Sequence, residues 1–549
     1  MYIFVNNEHS KGGTCERSSL FVLGMRTSSH IRKSKIIGHE EKFSMNEKKT
    51  KISVNIDENI AQYKKIFADC ADIKMRPMWL GAEHGTLCFL AYIEVAVSNT
   101  LLENTALGRL LAALEKIPED QMRQVLDTNA LGIVDATPYE YVEDAVAGML
   151  TGDAILFVDG YDKALKIADK GYPGMDVQEP DSEKVIRGSK EGFTDSVKTN
   201  TALIRKRVRS TRVKVQEINC GIRSHTAIDL VYMEDLAYPS VIEEVKRRLA
   251  DYEIDGIMDS GIVEQLAEEK WYSPFPQFQT TQRPDRAAIA VMEGRVVLLS
   301  DNSPVALILP TDLNSFLKTS DDYYNRFEVA TFARILRYIA AFFSMTLPGL
   351  YLAVTNFHTQ ILPTPLLLSF WEARIGVPFP AALEVILMEL SFELLREAGV
   401  RLPGAMGNTI GIVGGLIIGQ AAVDANLVCP IVVIVVAFTA LCSFSIPNEE
   451  FAFSFRILKF YMILMSAWLG FFGFLLGLLT VLIHLSRLRS FGIPYLMPFT
   501  GADLNGYEDM RDTIWRAPLR MMTNRPIYAR RGERVRLKNK RDDGSDAPK

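Results

Sequence analysis

Three glutamates recur every four residues in a stretch of the chain that is otherwise mostly apolar. In an α-helix, Glu389, Glu393 and Glu397 would lie one above another on a single face, which we call the acidic stripe. Like charges at this spacing repel one another in an ordinary helix, whereas ionisable side chains at membrane depth usually mark a path for ions or substrates. The acidic stripe therefore predicts a place where cations are handled.

A structural interpretation of the acidic stripe is also open. Arg396 and Arg401 lie close by in the sequence and could neutralise the glutamates in an ion-pair network. Three carboxylates cannot all face lipid, because each charge there would cost at least about 2.5 kcal/mol. They must therefore meet water, cations or these arginines.

Glycines at helical spacing mark two further apolar stretches. Small residues on one face of a helix let neighbouring backbones approach closely, as in the GxxxG pairs of membrane helices. The helix-packing candidates are Gly407, Gly411, Gly415 and Gly419, which we call the glycine face, together with Gly473 and Gly477. The spacing leaves open whether these glycines pack helices within one chain or between chains.

Four apolar stretches have the roughly 20 residues that a helix needs to cross a bilayer. The predicted spans are 338–357, 404–423, 427–446 and 460–484. The acidic helix, 383–398, is too short and too acidic to face lipid, so we predict a re-entrant or interfacial helix; if it crosses, the count becomes five. Four crossings put both ends of the chain on one side, and the arginines beside the first and last spans favour the cytoplasm.

The whole-chain composition averages over unlike parts. The 549 residues have a net charge of −5, with 23% charged and 48% hydrophobic residues. Strand-like and helix-like stretches predict an α/β soluble N-terminal region of two subdomains, followed by an α-helical polytopic membrane domain. The predicted divisions are 1–44 (a disordered extension or a mis-assigned start), 45–135 and 136–325 (the two subdomains), 326–490 (the membrane domain) and 491–549 (a basic cytoplasmic tail). The basic tail could also bind anionic membrane lipid.

Motifs of catalysis or metal binding do not occur in the sequence. The six cysteines show no CxxC or other ligand spacing, and there is no HExxH, GxSxG or P-loop. We therefore expect no enzyme activity, no catalytic residue, no metal, no cofactor and no nucleic-acid partner.

Several short motifs in combination resemble the signature of one family. The family-motif loop lies between Glu179 and Arg207, and its most specific residues are Arg187, Gly188, Glu191, Gly192, Phe193, Asn200 and Arg205. Further motifs are Ser273-Pro274-Phe275-Pro276-Gln277, Arg283-Pro284-Asp285-Arg286, Leu347-Pro348-Gly349 and Arg396-Glu397-Ala398-Gly399. Over about 57–526 the chain resembles the GerA-type spore germination proteins, the A subunits of nutrient germinant receptors. It departs from them at Ser189, where the family usually has proline.

The resemblance implies an integral protein of the spore inner membrane. Such a subunit would work with a transporter-like B subunit and a lipoprotein C subunit, and would self-associate into a ring that conducts ions once a nutrient is sensed. The expected function is therefore to help convert nutrient sensing into ion release and germination. A secondary transporter of small solutes is the alternative, although inverted repeats and more spans would be expected of it. A membrane enzyme is the least favoured class.

Overall fold

Two antiparallel sheets and a group of long helices form the part of the chain that the structure, a computed structural model, describes. The described residues are 49–81, 85–94, 112–118, 126, 136–167, 178–180, 183–401 and 405–537. The predicted extension, 1–44, lies outside them.

The first sheet has two helices packed against one face. Its strands are β1 (Ile73–Leu80), β2 (Thr86–Ile93), β3 (Ala136–Tyr139), β4 (Ala154–Val158) and β5 (Ala164–Ile167), and its helices are α1 (Ile56–Ile66) and α2 (Val142–Leu150). All neighbouring strands are antiparallel, in the order β1-β2-β4-β5-β3. Tyr63 of α1 meets Phe89 and Phe157 of the sheet edge-on, so helix and sheet share one aromatic core.

The second sheet is covered by helices on both faces. Its strands are β6 (Val213–Cys220), β7 (Thr226–Met233), β8 (Gln279–Thr281), β9 (Val296–Ser300) and β10 (Ala306–Leu309), and its helices are α3 (Val197–Arg207), α4 (Pro239–Ala250), α5 (Ser260–Ala267) and α6 (Pro284–Met292). Two hydrophobic cores result, one on each face. This explains why β9 and β10 are continuous apolar runs in the sequence.

The two sheets repeat one topology. In chain order, the five strands of the second sheet lie in the same arrangement as those of the first, β6-β7-β9-β10-β8. Asn59 and Asn200 each accept a hydrogen bond from a backbone N–H six residues earlier, at 3.0 and 2.8 Å. Asp159 and Asp301, directly after β4 and β9, each accept from the first N–H of α1 and α3, at 3.3 and 3.1 Å. The soluble region is therefore a structural duplication.

Strand pairing moves the boundary between the two subdomains. β3 lies at the edge of the first sheet and pairs with β5, so 136–167 belongs to the first sheet. The boundary predicted at residue 135 is thus corrected to the segment between Ile167 and Val197. No local pattern could have placed it there, because strands that pair across a sheet are brought together by the fold and not by their own sequence.

Two short helices, α7 (Leu313–Leu317) and α8 (Asp321–Tyr324), lead into the helical region. Its helices are α9 (Phe327–Phe357), α10 (Thr364–Arg374), α11 (Ala381–Arg401), α12 (Ala405–Asp424), α13 (Pro430–Phe444) and α14 (Glu449–Arg487). The predicted order, an α/β region followed by a helical one, is confirmed. Within the described residues, α9 and α14 are long and apolar enough to cross a membrane, and α13 is a shorter apolar helix.

α14 turns back on itself at Gly470. The backbone there has φ 62° and ψ −141°, a region that is essentially restricted to glycine. Tyr461 and Thr480, nineteen residues apart, are hydrogen-bonded at 2.8 Å, whereas a straight helix would separate them by about 28 Å. The fourth predicted span is therefore not one helix but part of two antiparallel halves, 449–469 and 471–487.

Contacts with the first half of α14 give the directions of α9 and α11. An added Cβ at Gly349 would lie 3.0 Å from the Met462 carbonyl, and Phe357 at the end of α9 lies against Gly470, so α9 runs parallel to this half. α11 runs antiparallel to it, because successive turns of α11 meet earlier turns of α14.

The remaining helices also run in alternating directions. α13 is antiparallel to α9, since Tyr351 lies 3.8 Å from Cys429 and the Phe343 ring lies 6.3 Å from that of Phe438. α12 packs beside α11 and α13 and connects them. Six helical segments, namely α9, α11, α12, α13 and the two halves of α14, therefore alternate in direction.

The C-terminal segment, which we define as 491–537, folds back over the second sheet. A two-residue strand pair, β11 (Arg489–Ser490) and β12 (Ile493–Pro494), begins this return. The Phe491 ring packs edge-on against Phe278 at 5.4 Å, and Arg530 Nε donates to the Ala237 carbonyl at 2.7 Å. The described part of the predicted basic tail is thus a folded element in which arginines contact protein groups.

Candidate functional site

The acidic stripe lies on α11 and faces the first half of α14. Glu389, with 1% of its side chain exposed, lies 2.5 Å from Nζ of Lys459, which is 6% exposed. Glu393 is 32% exposed and lies 2.8 Å from Nη1 of Arg456. Glu397, one turn further on, also has an interaction partner. The first two carboxylates of the stripe are therefore neutralised within one chain, and the Glu389 pair is buried.

The partners of Glu389 and Glu393 differ from those that the sequence suggested. Arg396 and Arg401 were the expected cations, but Arg456 and Lys459 fill that role. The Arg396 guanidinium instead lies 5.2 Å from the ring centroid of Phe444. Arg456 and Lys459 are three residues apart on an apolar helix and so share one face. That spacing marks them in the sequence as two cations on one face, but it does not show which carboxylates they meet.

Burial gives the two ion pairs different consequences. The second carboxylate oxygen of Glu389 is buried and has no hydrogen-bond partner among the described residues. Removing one partner of a buried ion pair costs about 3–5 kcal/mol, because the other charge is left uncompensated. The Glu389–Lys459 pair therefore fixes α11 to α14, whereas Glu393 keeps surface that a solvated cation could reach.

Two members of the glycine face pack against helices of the same chain. An added Cβ at Gly415 would lie 3.7 Å from Phe392 of α11, and one at Gly419 would lie 3.3 Å from Val433 of α13. The side-chain surroundings of Gly407 and Gly411 fall outside the described part of the chain. The contacts at Gly415 and Gly419 favour packing within the protomer.

Gly473 and Gly477 let the two halves of α14 approach each other. A Cβ at Gly477 would lie 2.9 Å from Sδ of Met462, and a Cβ at Gly473 would overlap the Met465 carbonyl oxygen. Both glycines lie just after the turn at Gly470. The GxxxG pair therefore belongs to the hairpin within α14.

The family-motif loop contacts α8, immediately before α9 begins. Gly188 has φ 134°, and an added Cβ would lie 2.7 Å from the Tyr324 ring. The backbone N–H of Arg187 donates to the Asp321 carboxylate at 3.3 Å. The loop thus reaches the start of the helical region, and Gly188 permits that close approach.

Further along, the loop is held by charge and by close backbone packing. Glu191 pairs with Lys206 at 2.7 Å and with Arg207 at 2.5 Å. Burial raises the pKa of Glu191, but hydrogen bonds from these two cations outweigh it and keep the pKa below its usual range. The N–H of Gly192 donates to the Gln178 carbonyl at 2.8 Å, and an added Cβ would come within 2.7 Å of that oxygen.

The remaining motif residues have structural contacts. Phe193 is buried in the core of the second sheet, and Asn200 caps the chain before α3. Arg205 is 1% exposed and makes two hydrogen bonds to Asp72, at 2.7 and 3.0 Å. Because Asp72 lies directly before β1, this buried ion pair joins the two subdomains.

A second group of buried charges, which sequence reasoning missed, lies at the base of α9. Arg334 binds Asp322 at 3.0 Å and Asp512 at 2.7 Å, Arg337 binds Asp322 at 2.8 Å, and Lys318 binds Asp512 at 2.8 Å. We call these five residues the junction network. Burial raises the pKa of Asp512, but Lys318 and Arg334 hold it well below its usual range. The network ties the soluble region, α9 and the C-terminal segment together, across separations too long for any sequence motif.

Within the described residues, no three His, Cys, Asp or Glu side chains are grouped so that they could hold a metal ion. The titratable groups that come together at α11 and at the base of α9 are pairs of opposite charge. This arrangement can hold helices in position.

The profile of the family described as Bacillus/Clostridium GerA spore germination protein matches residues 61–528. The chain belongs to this family. The resemblance predicted from the motifs is therefore confirmed.

Relatives of this GerA-family chain include proteins of Bacillus subtilis (strain 168). The uncharacterized membrane protein YfkQ is 39% identical over 482 residues, which cover 88% of this chain and 92% of that protein. Spore germination protein KA is 36% identical over 486 residues, 88% of each. The crystal structure of the N-terminal domain of the A subunit of the Bacillus megaterium spore germinant receptor GerK3 is 25% identical, with a TM-score of 0.38, over 48% of this chain and 98% of that one.

Proposed function

We propose that this GerA-family chain is the A subunit of a nutrient germinant receptor and helps to convert nutrient sensing into ion release. The match over 61–528 carries the proposal, because it includes the soluble sheets, the junction network and the helices together. The junction network supports the coupling. Its buried side chains connect α9 to the soluble region, so a rearrangement of one would be transmitted to the other.

We further propose that the chain crosses the spore inner membrane six times, two more than the four predicted spans. Six helical segments alternate in direction, and α9 and α14 are apolar enough to cross. The 21 residues of α11 would extend about 31 Å, close to the roughly 30 Å of a bilayer core. Six crossings keep the soluble region and the C-terminal segment on one side. Arg334, Arg337 and Arg487 lie at that end, which favours the cytoplasm.

In this proposal α11 lines the ion path. Glu393, whose Oε1 pairs with Arg456 but whose side chain keeps 32% of its surface exposed, and Glu397 would attract cations at the cytoplasmic end. Glu389, buried against Lys459, would hold the helix that carries them. This divides the three candidates of the acidic stripe into two that meet ions and one that positions α11.

A ring of identical subunits needs a surface for contact between copies. We propose the exposed apolar face of α9, where Phe332 and Ile339 are 65% and 47% exposed and lie on the same side of the helix. Membrane lipid would cover what the neighbouring copy does not. A transporter-like B subunit and a lipoprotein C subunit are the further partners proposed from family membership.

Ion flux through the purified protein in liposomes tests the proposal. Wild-type protein should release trapped K⁺, and Glu393→Gln should reduce that flux at equal protein content, because it removes charge but keeps size. Glu372→Gln, an exposed carboxylate of α10 away from the stripe, is the matched control and should leave flux unchanged. Absence of flux from the wild type, together with normal germination of spores that lack this gene, would contradict the proposal.

The break at Gly470 favours one other candidate, a secondary transporter of small solutes. Discontinuous helices often form substrate sites in such transporters. Flux measured without any solute gradient separates the two functions. A channel subunit would still release K⁺, whereas a coupled transporter would require its solute.

A further inference from the structure

Four of the five tryptophans in the chain are exposed at the ends of the helical segments. Trp271 is 83% exposed, Trp371 62%, Trp468 79% and Trp515 48%. Tryptophan is mostly buried in folded proteins. In membrane proteins, however, Trp and Tyr are enriched where the bilayer meets water, because their rings are apolar and their N–H or O–H groups are polar. The positions of these four side chains can therefore be compared with the thickness of a bilayer.

One aromatic pair projects from the soluble region beside the end of α14. Trp271 and Tyr272 follow α5, and their rings meet edge-on at 6.0 Å. The Tyr272 ring lies 6.3 Å from the ring of His484, and Nζ of Lys270 donates to the Arg487 carbonyl at 2.9 Å. These contacts hold the exposed pair at the level of the last turn of α14.

A third aromatic side chain, Trp515, lies beside the start of α9. Its neighbour Arg516 is fixed there, because the Arg516 N–H donates to the Thr331 hydroxyl at 3.2 Å and the guanidinium donates to the Asn325 carbonyl at 3.0 Å. The second half of α14 is antiparallel to α9, so the end of α14 and the start of α9 lie at the same end of the helical region. We call Trp271, Tyr272 and Trp515 the near-side aromatics.

The other two exposed tryptophans lie at the opposite end of the helical region. Trp468 comes two residues before the turn at Gly470. Trp371 is on α10, where the neighbouring Phe370 ring lies 6.5 Å from that of Tyr351, near the end of α9. The second half of α14, 471–487, joins the two ends and would extend about 26 Å, close to the roughly 30 Å of a bilayer core. Exposed aromatic side chains thus lie about one bilayer thickness apart.

We propose that the near-side aromatics insert among the lipid headgroups and hold the soluble region against the membrane surface. The exposed apolar side of α14 continues up to them, since Leu479 and Ile483 are 53% and 42% exposed just before His484. This continuity favours lipid over another protein chain as the occupant. Arg487 and Arg489, both exposed, lie at the same level and would attract anionic headgroups. The inference rests on the proposed membrane crossings.

Two points of attachment would restrict how the soluble region moves. Trp271 and Tyr272 extend from the second subdomain, whereas Trp515 belongs to the C-terminal segment, three residues after Asp512 of the junction network. Because the two points lie beside different helices, the soluble region could not tilt about α9 without withdrawing one of them from the headgroups. A movement of the soluble region would instead be transmitted to α9 and α14.

Quenching of tryptophan fluorescence by brominated lipid tests the contact. The full-length protein is reconstituted in vesicles of phosphatidylcholine and phosphatidylglycerol, with or without phosphatidylcholine brominated near its headgroup. Trp271→Phe and Trp515→Phe each remove a quenched side chain and should lower the quenched fraction of the emission. If all five tryptophans emit equally, this fraction falls from four-fifths to three-quarters. Trp271→Phe should fold as the wild type does, because so little of this side chain is packed.

Trp79 is the matched control. It is 59% exposed and lies near the end of β1, whereas the start of that strand adjoins the contact between the subdomains. Lipid should not reach it, so Trp79→Phe removes an unquenched side chain and should raise the quenched fraction. The two predicted changes have opposite signs.

A rise in the quenched fraction for Trp271→Phe would overturn the contact, because water or a second copy of the chain would then cover this side chain. Trp468→Phe keeps that result distinct from the membrane crossings, and it should lower the quenched fraction. A fall for Trp468→Phe with a rise for Trp271→Phe removes the contact and leaves the crossings, whereas a rise for both contradicts the crossings as well. K⁺ flux from the same vesicles tests the receptor function separately, since a fall for Trp271→Phe without any flux supports the contact and contradicts that function.

Discussion

Asp229 shows how one side chain can make stability depend on pH. It lies on β7, is 5% exposed, and accepts from the Thr201 hydroxyl at 2.7 Å, opposite Glu217 on β6. Burial raises the pKa of Asp229 to about 6, and Glu217 adds to the rise. The folded state therefore binds the proton more tightly than the unfolded chain does. Stability falls as pH rises from about 3.9 through about 6, by up to about 3 kcal/mol.

Asp229→Asn should consequently stabilise the protein at about pH 7 and give no gain below about pH 4, where Asp229 is already neutral. The free energy of unfolding should rise by up to about 3 kcal/mol at the higher pH. Thermal unfolding of the detergent-purified chain at both pH values measures it. Glu243→Gln, an exposed carboxylate on α4, should change stability little at either pH. An equal gain from Asp229→Asn at both pH values would refute the ionisation argument.

Ser189 stands where the family usually has proline, and its hydrogen bonds hold the family-motif loop in place. Its carbonyl accepts from Arg283 at 2.8 Å, and its hydroxyl accepts from Arg207 at 3.0 Å. Proline would offer the same carbonyl with a restricted backbone but no hydroxyl. At this position the added hydrogen bond to Arg207 takes over part of the restraint that proline would supply.

At the scale of elements, the hairpin in α14 depends on one glycine. A Cβ at Gly470 would lie 2.7 Å from Phe357, and φ is 62°. Gly470→Ala should destabilise the protein by at least about 1–3 kcal/mol, the usual cost of forcing such a backbone on another residue. Membrane abundance and thermal unfolding measure the change. Gly532→Ala, where a Cβ would meet nothing within 4 Å, should be neutral. Full stability of Gly470→Ala would mean that α14 does not turn there.

The Glu389–Lys459 pair is a second contact between elements that can be tested. Glu389→Met or Lys459→Met alone leaves a buried charge and should lower stability by about 3–5 kcal/mol, whereas the double variant should recover most of that loss. Membrane abundance and thermal unfolding report it. Lys49→Met, in an exposed pair with Asp144 at 2.7 Å, is the control and should change stability little, because solvent screens exposed ion pairs. Strictly additive losses in the double variant would contradict a direct pair.

The order of elements was predictable from the sequence to the extent that their patterns are local. The apolar runs predicted the α/β region, the helical region and the acidic helix. Buried and exposed positions in a helix or a strand alternate with its own period, so the residues of that element alone show the pattern. The turn at Gly470 was not predicted, since a single glycine among apolar residues looks the same in a straight helix. The partners Arg456 and Lys459 were missed because they meet the acidic stripe only after the helices pack.

For the whole molecule, the duplication and the junction network are the features that could not be predicted from the sequence. The two copies share the fold of their sheets and a few capping residues, such as Asn59 and Asn200, while most other positions differ. In a repeat of this kind, the two copies pair their strands in the same order although their amino-acid residues differ. The same holds for Asp512, whose partners lie far away along the chain. Its role became visible only once the C-terminal segment had folded back.

Asp512 connects three parts of the molecule, so its charge should control how they unfold together. Asp512→Asn would leave Lys318 and Arg334 buried without their counter-charge and should cost about 3–5 kcal/mol at neutral pH. Because the folded-state pKa of Asp512 is lowered, its contribution is fully present above about pH 4, the usual range of the unfolded carboxyl, and is lost as pH falls through the lower folded value. The difference in stability between variant and wild type should therefore shrink only in strong acid.

Thermal unfolding of Asp512→Asn should also change from one transition to two, since the soluble and helical regions would lose their link. Asp503→Asn is the control in the same segment and should keep a single transition. A single unchanged transition in Asp512→Asn at neutral pH would show that the junction network does not hold the molecule together.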